Sequence, residues 1–272
     1  MRITSLVENT VSDERLGAEH GLSLYIETEK HRILFDMGQT DLFAKNAEKL
    51  GIDLQKVDLA VLSHGHYDHG GGLRTFLQIN NTAPVYVSPY AFEPHYHGPH
   101  RSIGLDVTLL EDPAARRRIR FTADRTVIGE GLMLYSCREN ERKYDLGYSG
   151  LDMVQDGRIV PDDFRHEQYL LIEGQESRKM TEQENAGRVL ISGCSHKGIL
   201  DIAGWFRPDV LVGGFHFSKF PLDEKLASYA RYLDIFPTDY YTCHCTGREQ
   251  YTFMKAHMKR LFYLSTGQTI IV

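Results

Sequence analysis

The sequence predicts a layered α/β fold, and three observations carry that prediction. Short apolar runs such as Leu59-Ala60-Val61-Leu62 and Val85-Tyr86-Val87 alternate with amphipathic stretches of helical period. Several of those runs end in glycine and histidine rather than in an ordinary turn. A chain of 272 residues with 42% hydrophobic content can bury a large core as one domain spanning 1–272.

Taken in order, residues 2–7 have strand character. Residues 22–27 alternate apolar and polar, and 32–36 follow after a charged turn, which predicts a β-hairpin. His20, just before the second strand, reads as a structural or supporting residue. Asp36 either orients a metal-binding histidine or caps a turn. Residues 41–50 are amphipathic and end at Gly51, as a helix does.

The centre of the chain is Leu62-Ser63-His64-Gly65-His66-Tyr67-Asp68-His69-Gly70-Gly71-Gly72. Imidazole and carboxylate are ligand types that suit zinc, iron or manganese, and this density of them has little purpose without a metal. His64 and His66, two apart in an extended chain, point to one side and can share an ion. The glycines are expected to let the backbone turn, and a short helix from Leu73 then favours an ionised Asp68 through its N-terminal dipole. Asp68 and His69 can face a second ion.

Residues 90–120 read as a lid or insertion. The first part mixes aromatics, His95, His97, His100 and Arg101 with prolines that discourage a regular helix. It is expected to form a substrate wall, with His95 and His97 stacking on flat rings and Arg101 binding a phosphate or carboxylate. Arg116-Arg117-Arg118 is offset by Glu111-Asp112 and reads as a solvated face.

In the second half, strands over 168–173 and 188–192 lead to Gly193-Cys194-Ser195-His196, which repeats the logic of a histidine just beyond a buried strand. His196 is expected as a ligand. Cys194 reads equally as a thiolate ligand or a buried inert thiol. His216, after Gly213-Gly214-Phe215, is either a substrate contact and proton donor or a packed histidine. Residues 239–247 end another strand at Cys243-His244-Cys245, too short a spacing for a separate zinc knuckle. A helix over 249–261 and a closing strand over 264–272 complete the chain.

The net charge of −6 offers no basic excess for nucleic acid. No apolar run is long enough for a membrane span or a signal peptide, so a cytoplasmic protein is expected. Four cysteines make no disulfide framework. Phe215, Phe217 and Phe220 face either a core or a second copy in a homo-oligomer.

The His64-x-His66-x-Asp68-His69 pattern after an apolar strand resembles the signature of the metallo-β-lactamase superfamily. That resemblance implies a four-layered αββα sandwich with a metal site at its edge. It implies a ligand set of His64, His66 and His196 for one ion, with Asp68, His69 and His244 at a neighbouring position. Cys194 departs from the bridging aspartate of that family. The segments around His20, Asp36, His196, His216 and His244 extend the similarity to a subgroup that includes the pterin synthase of methanopterin biosynthesis.

The resemblance therefore implies one or two divalent ions, with zinc foremost. It implies a hydrolase acting through activated water on an ester or phosphoester of a small aromatic or phosphorylated molecule, with Asp68 orienting the water. The alternative is a transferase that joins a dihydropterin methyl group to an aminobenzene ribofuranosyl phosphate with release of pyrophosphate. A non-enzymatic metal-binding protein is a further alternative.

Overall fold

The computed structural model describes residues 1–98, 101–144, 146–147, 149–174 and 187–272. These form two compact units: one of residues 1–123, 147–168 and 265–272, the other of 124–146 and 169–264. Pro99 and His100 of the expected lid lie outside the described residues, as does Tyr148.

The first unit contains β1 (Arg2–Val7), β2 (Ser23–Glu27), β3 (Arg32–Phe35), α1 (Leu42–Lys49), β4 (Leu59–Val61), α2 (Tyr67–Gly70), α3 (Leu73–Ile79) and β5 (Val85–Val87). It continues with β6 (His95–His97), β7 (Arg101–Ser102), α4 (Pro113–Arg118) and β8 (Ile119–Phe121). The expected hairpin is β2 and β3, with Leu24 opposite Phe35 and Ile26 opposite Ile33. From β3 onward the pairing with β4, β5 and β8 is parallel, as helical crossovers require. α1 and α3 bring Phe43, Ala47, Leu73 and Phe76 into one apolar cluster with Leu34, Ala60 and Val85. Burying each of the larger side chains contributes about 1.5–3 kcal/mol.

The second unit opens with β9 (Arg125–Gly129) and β10 (Leu132–Tyr135). The chain then returns to the first unit for β11 (Leu151–Gln155) and β12 (Arg158–Pro161). The order β12-β11-β6-β7 makes a small four-stranded sheet there. The 90–120 segment is thus not a single loop: its first part supplies two strands, and its last part is helix α4 and edge strand β8. Arg116 and Arg117 are exposed, but Arg118 donates to the carbonyls of Leu77, Asn80 and Ala83, so it ties loop ends together.

The rest of the second unit is β13 (Tyr169–Glu173), β14 (Arg188–Ile191), α5 (Ile199–Phe206), β15 (Val210–Gly213), α6 (Glu224–Leu233), β16 (Asp239–Thr242), α7 (Arg248–Lys255) and β17 (Leu261–Tyr263). The sheet order is β17-β16-β15-β14-β13-β10-β9. α5, α6 and α7 pack Ile199, Leu226, Ala230 and Met254 with Leu190, Leu211 and Tyr240. Phe215 and Phe217 are fully buried in that cluster and Phe220 packs against it, so these rings serve the core. The last helix ends at Lys255, six residues short of the expected end, because Leu261 turns into the sheet beside Tyr240.

β18 (Thr269–Ile271) closes the first sheet against β1, with Ile3 opposite Ile270. Each unit therefore holds a seven-stranded sheet carrying helices, the paired α and β layers that the fold class requires, and the first unit holds the small four-stranded sheet besides. Among the described residues, no helix is long and apolar enough to cross a membrane.

Candidate metal centre

In the first unit, three buried residues of β4 lead into Leu62 and Ser63, and His66 is still extended at φ −97°, ψ 145°. The rings of His64 and His66 come to 4.6 Å, as their two-residue spacing demands. Helix α2 then begins at once, so Asp68 lies in its own first turn, not ahead of α3. Gly71 and Gly72 form the turn between α2 and α3, as expected, but not through a conformation that only glycine favours. Gly71 and Gly72 have ordinary helical φ of −62° and −76°. What they supply is close approach: a Cβ on Gly71 would lie 2.2 Å from the Gln39 carbonyl oxygen, and one on Gly72 2.3 Å from that of Met37. Met37 in turn donates its amide to the His69 carbonyl at 2.7 Å, and Leu22 to that of Asp68 at 3.2 Å.

The hydrogen bonds around Asp36 and Ser63 then set the tautomers of two neutral imidazoles. The carboxylate of Asp36, fully buried, accepts the Ser63 amide on Oδ1 and the Ser63 hydroxyl on Oδ2, both at 2.7 Å. His69 Nδ1 donates to the same Oδ2 at 2.7 Å. The Ser63 hydroxyl has one proton, already given to Asp36, so at 2.7 Å it accepts from His64 Nδ1. In the neutral form both rings thus carry their proton on Nδ1 and keep the lone pair on Nε2, the arrangement a divalent ion needs. Asp36 is an orienting residue. It holds φ 58°, a left-handed conformation rare outside glycine and common where function constrains the backbone.

Electrostatics act in opposite directions on His66 and His69. Burial, helped by nearby His166, pushes His66 well below its ordinary value, so it is a neutral donor. Burial also opposes charge on His69, but the carboxylates of Asp36 and Asp68 outweigh it and raise that group. Asp68 Oδ2 lies 3.2 Å from His20 Nε2 and 3.9 Å from His69 Nε2, so His20 touches the candidate site from an exposed position.

The expected substrate-wall residues separate. His97 and Arg101 are exposed on β6 and β7, and Arg101 donates to the Tyr67 hydroxyl at 3.1 Å. His95 is 1% exposed and turns inward, where its Nδ1 donates to Asp162 Oδ2 at 2.9 Å. The same oxygen accepts from His166 Nε2 at 3.2 Å. Burial alone would raise Asp162, but the bonds from His166 and His95 prevail and hold its carboxyl far below the usual range. Asp162 and His166 were not singled out in the sequence. The signal was there, an Asp and a His four apart in a turn before a strand, but nothing local links them to a motif a hundred residues away.

In the second unit, β14 ends at Ile191 and the chain passes through Cys194, Ser195 and His196 into α5. Ser195 takes φ 59° and pairs its hydroxyl with that of Ser192 at 2.8 Å. His196 and His216 bring their rings to 4.4 Å, both half-buried. His216 and His244 hold φ of 56° and 49°, so each strand end swings its histidine out through a left-handed residue. A Cβ on Gly214 would meet Cys245 Sγ at 2.3 Å, which explains a glycine there. Donor atoms of Cys194, His244 and Cys245 lie within 4.8 Å of one another, all buried. Cys245, weighed in the sequence only as part of a separate zinc knuckle, is thus a soft donor near His244 and Cys194, while Cys243 is fully buried.

Buried imidazoles, aspartate carboxyls and thiols are a donor set that fits a divalent transition metal. The comparisons agree. The profile of the metallo-beta-lactamase superfamily matches residues 16–178. An uncharacterized protein of Methanocaldococcus jannaschii is 28% identical over 98% of this chain and 99% of its own length. The 7,8-dihydropterin-6-methyl-4-(beta-D-ribofuranosyl)-aminobenzene-5'-phosphate synthase of the same organism is 29% identical over 93% of this chain and 90% of its own. Among solved structures, Tm1679, described as a metal-dependent hydrolase of the beta-lactamase superfamily, superposes with TM-score 0.78 at 28% identity, covering 100% of this chain and 99% of that one. The chain belongs to the metallo-beta-lactamase superfamily.

Proposed function

We propose that this chain is a metal-dependent hydrolase that cleaves an ester, phosphoester or related bond of a small aromatic or phosphorylated substrate. The observation that carries the reading is the donor arrangement around Asp36 and Ser63, in which Nδ1 of His64 and of His69 bonds inward, so that each neutral ring has its lone pair on Nε2. The ligand set proposed is His64, His66, Asp68, His69, His196 and His244, for one or two divalent ions, zinc being the first to test. Such an ion, when bound, supplies Lewis acidity and lowers the pKa of water to about 7.

The residues of the chain have their own tasks in this reading. Asp68 accepts a hydrogen bond from the attacking water and orients it. His216 donates a proton to the oxygen that departs as the ester bond breaks. Arg101 and His97, exposed on β7 and β6, contact the phosphate or ring of the substrate. A second reading, a pterin-type transferase, is favoured by the similarity to the M. jannaschii synthase over nearly the whole chain.

The test is metal content per chain by elemental analysis, followed by turnover of phosphodiesters, esters, lactones and a dihydropterin pyrophosphate. Hydrolysis by the metal-loaded protein supports the hydrolase. Pyrophosphate release only with an aminobenzene acceptor supports the transferase. A preparation that binds no divalent ion overturns both.

A further inference from the structure

Four buried groups of the first unit, His66, His95, Asp162 and His166, hold donor atoms within 4.8 Å of one another and look at first like a separate metal site. The hydrogen bonds argue otherwise. The Gly65 amide donates to His166 Nδ1 at 2.9 Å. A backbone N–H can only donate, so that nitrogen carries a lone pair and a neutral ring must hold its proton on Nε2, where it reaches Asp162 Oδ2. Both nitrogens of His166 are thereby committed. His95 donates its Nδ1 proton to Asp162, and its Nε2 lies 3.3 Å from the Tyr90 carbonyl oxygen. Asp162 Oδ1 accepts the Phe164 amide at 2.7 Å, which closes the turn that presents His166.

The tautomer of His166 is therefore opposite to that of His64 and His69. Those rings keep a lone pair on Nε2, while His166 keeps its lone pair for Gly65. Gly65 is the residue between His64 and His66, and it is held from its other side as well: a Cβ there would lie 2.3 Å from the Ala91 carbonyl oxygen and 2.9 Å from His95 Nε2. We propose that His166, with Asp162 and His95 behind it, is a positioning residue that locks the Gly65 peptide and so presets His64 and His66 for metal capture.

This inference rests on the metal-site reading above, since a lock on the loop matters only if its histidines bind an ion. Orienting groups one step removed from a metal typically change its affinity by about 10–100-fold when removed. The ring of His166 can be split into its two roles. Asparagine places an oxygen where Nδ1 stood and restores the acceptor for Gly65, whereas alanine removes it.

The experiment uses metal-stripped protein labelled with 15N at glycine and histidine, comparing wild type, H166A and H166N. Amide exchange of Gly65 is followed first, then zinc affinity by competition with a chelating dye, with thermal unfolding as a control for folding. The expected result is fast Gly65 exchange and about 10–100-fold weaker zinc binding in H166A, with H166N restoring both. Wild-type 15N shifts should show His166 as the Nε2–H tautomer. Unchanged exchange and affinity in H166A overturn the lock, as does an H166N no better than an H166A of equal thermal stability. If H166A does not fold, slow Gly65 exchange and tight zinc binding in H166N support the lock, and their loss overturns it. A wild-type chain that takes up no zinc overturns the metal reading and with it the purpose of the lock. That failure is recognisable because Gly65 exchange is read without metal.

Discussion

His69 donates its Nδ1 proton to Oδ2 of Asp36 across 2.7 Å, with both side chains fully buried. The pair spans 33 residues and turns a carboxylate at a strand end into the group that sets ring tautomers in the histidine loop. Asp36→Asn keeps the volume but loses the charge and one acceptor. It should weaken zinc binding by about 10–100-fold in a competition titration while the chain remains folded; unaltered affinity would remove Asp36 from the site.

Ligand assignments make a sharper prediction. His66→Ala and His244→Ala should each lower metal content per chain and abolish turnover, because each takes a donor out of the proposed set. Cys243→Ala should do neither, since that fully buried residue lies beside the proposed ligand and is not part of the set. Elemental analysis of the purified variants decides, and full occupancy in the His244 variant would exclude His244 as a ligand.

The close approach of the glycines can be tested by stability alone. A methyl group on Gly71 would sit 2.2 Å from the Gln39 carbonyl and 2.6 Å from that of Tyr67, both backbone oxygens that cannot swing aside. Gly71→Ala should cost about 1–3 kcal/mol in denaturant unfolding, the usual range for overpacking. Gly51 tests the other cause: a methyl group there would meet no atom within 4 Å, so only its φ of 71° opposes alanine.

Acid unfolding should report on Asp162. Its carboxyl is held far below the ordinary range in the folded state, since the bonds from His166 and His95 outweigh burial. A depressed folded value means that the unfolded chain binds the proton first. The stabilisation is therefore complete above the unfolded value of about 4 and falls by about 1.4 kcal/mol per pH unit below it. Asp162→Asn lacks that term, so the stability gap between wild type and variant should be widest near neutrality and narrow below pH ~4. A gap independent of pH would show that the charge of Asp162 contributes nothing.

What the sequence by itself determined is what short-range geometry controls. The hairpin of β2 and β3, the strand before His64 and the shared direction of His64 and His66 follow from periods of two within single segments. The histidines at strand ends, His196, His216 and His244, were visible because each follows an apolar run. Tertiary structure decided everything that depends on partners far along the chain. Asp36 became a tautomer-setting group only when Ser63 and His69 came against it, and His95 turned from an expected substrate wall to a buried bond with Asp162, 67 residues away. His166 gained its role from an amide 101 residues distant. The glycines of the motif look like turn formers in one dimension. In three they are spacers as well, because contact between backbones is a property of packed segments and leaves no periodicity to read.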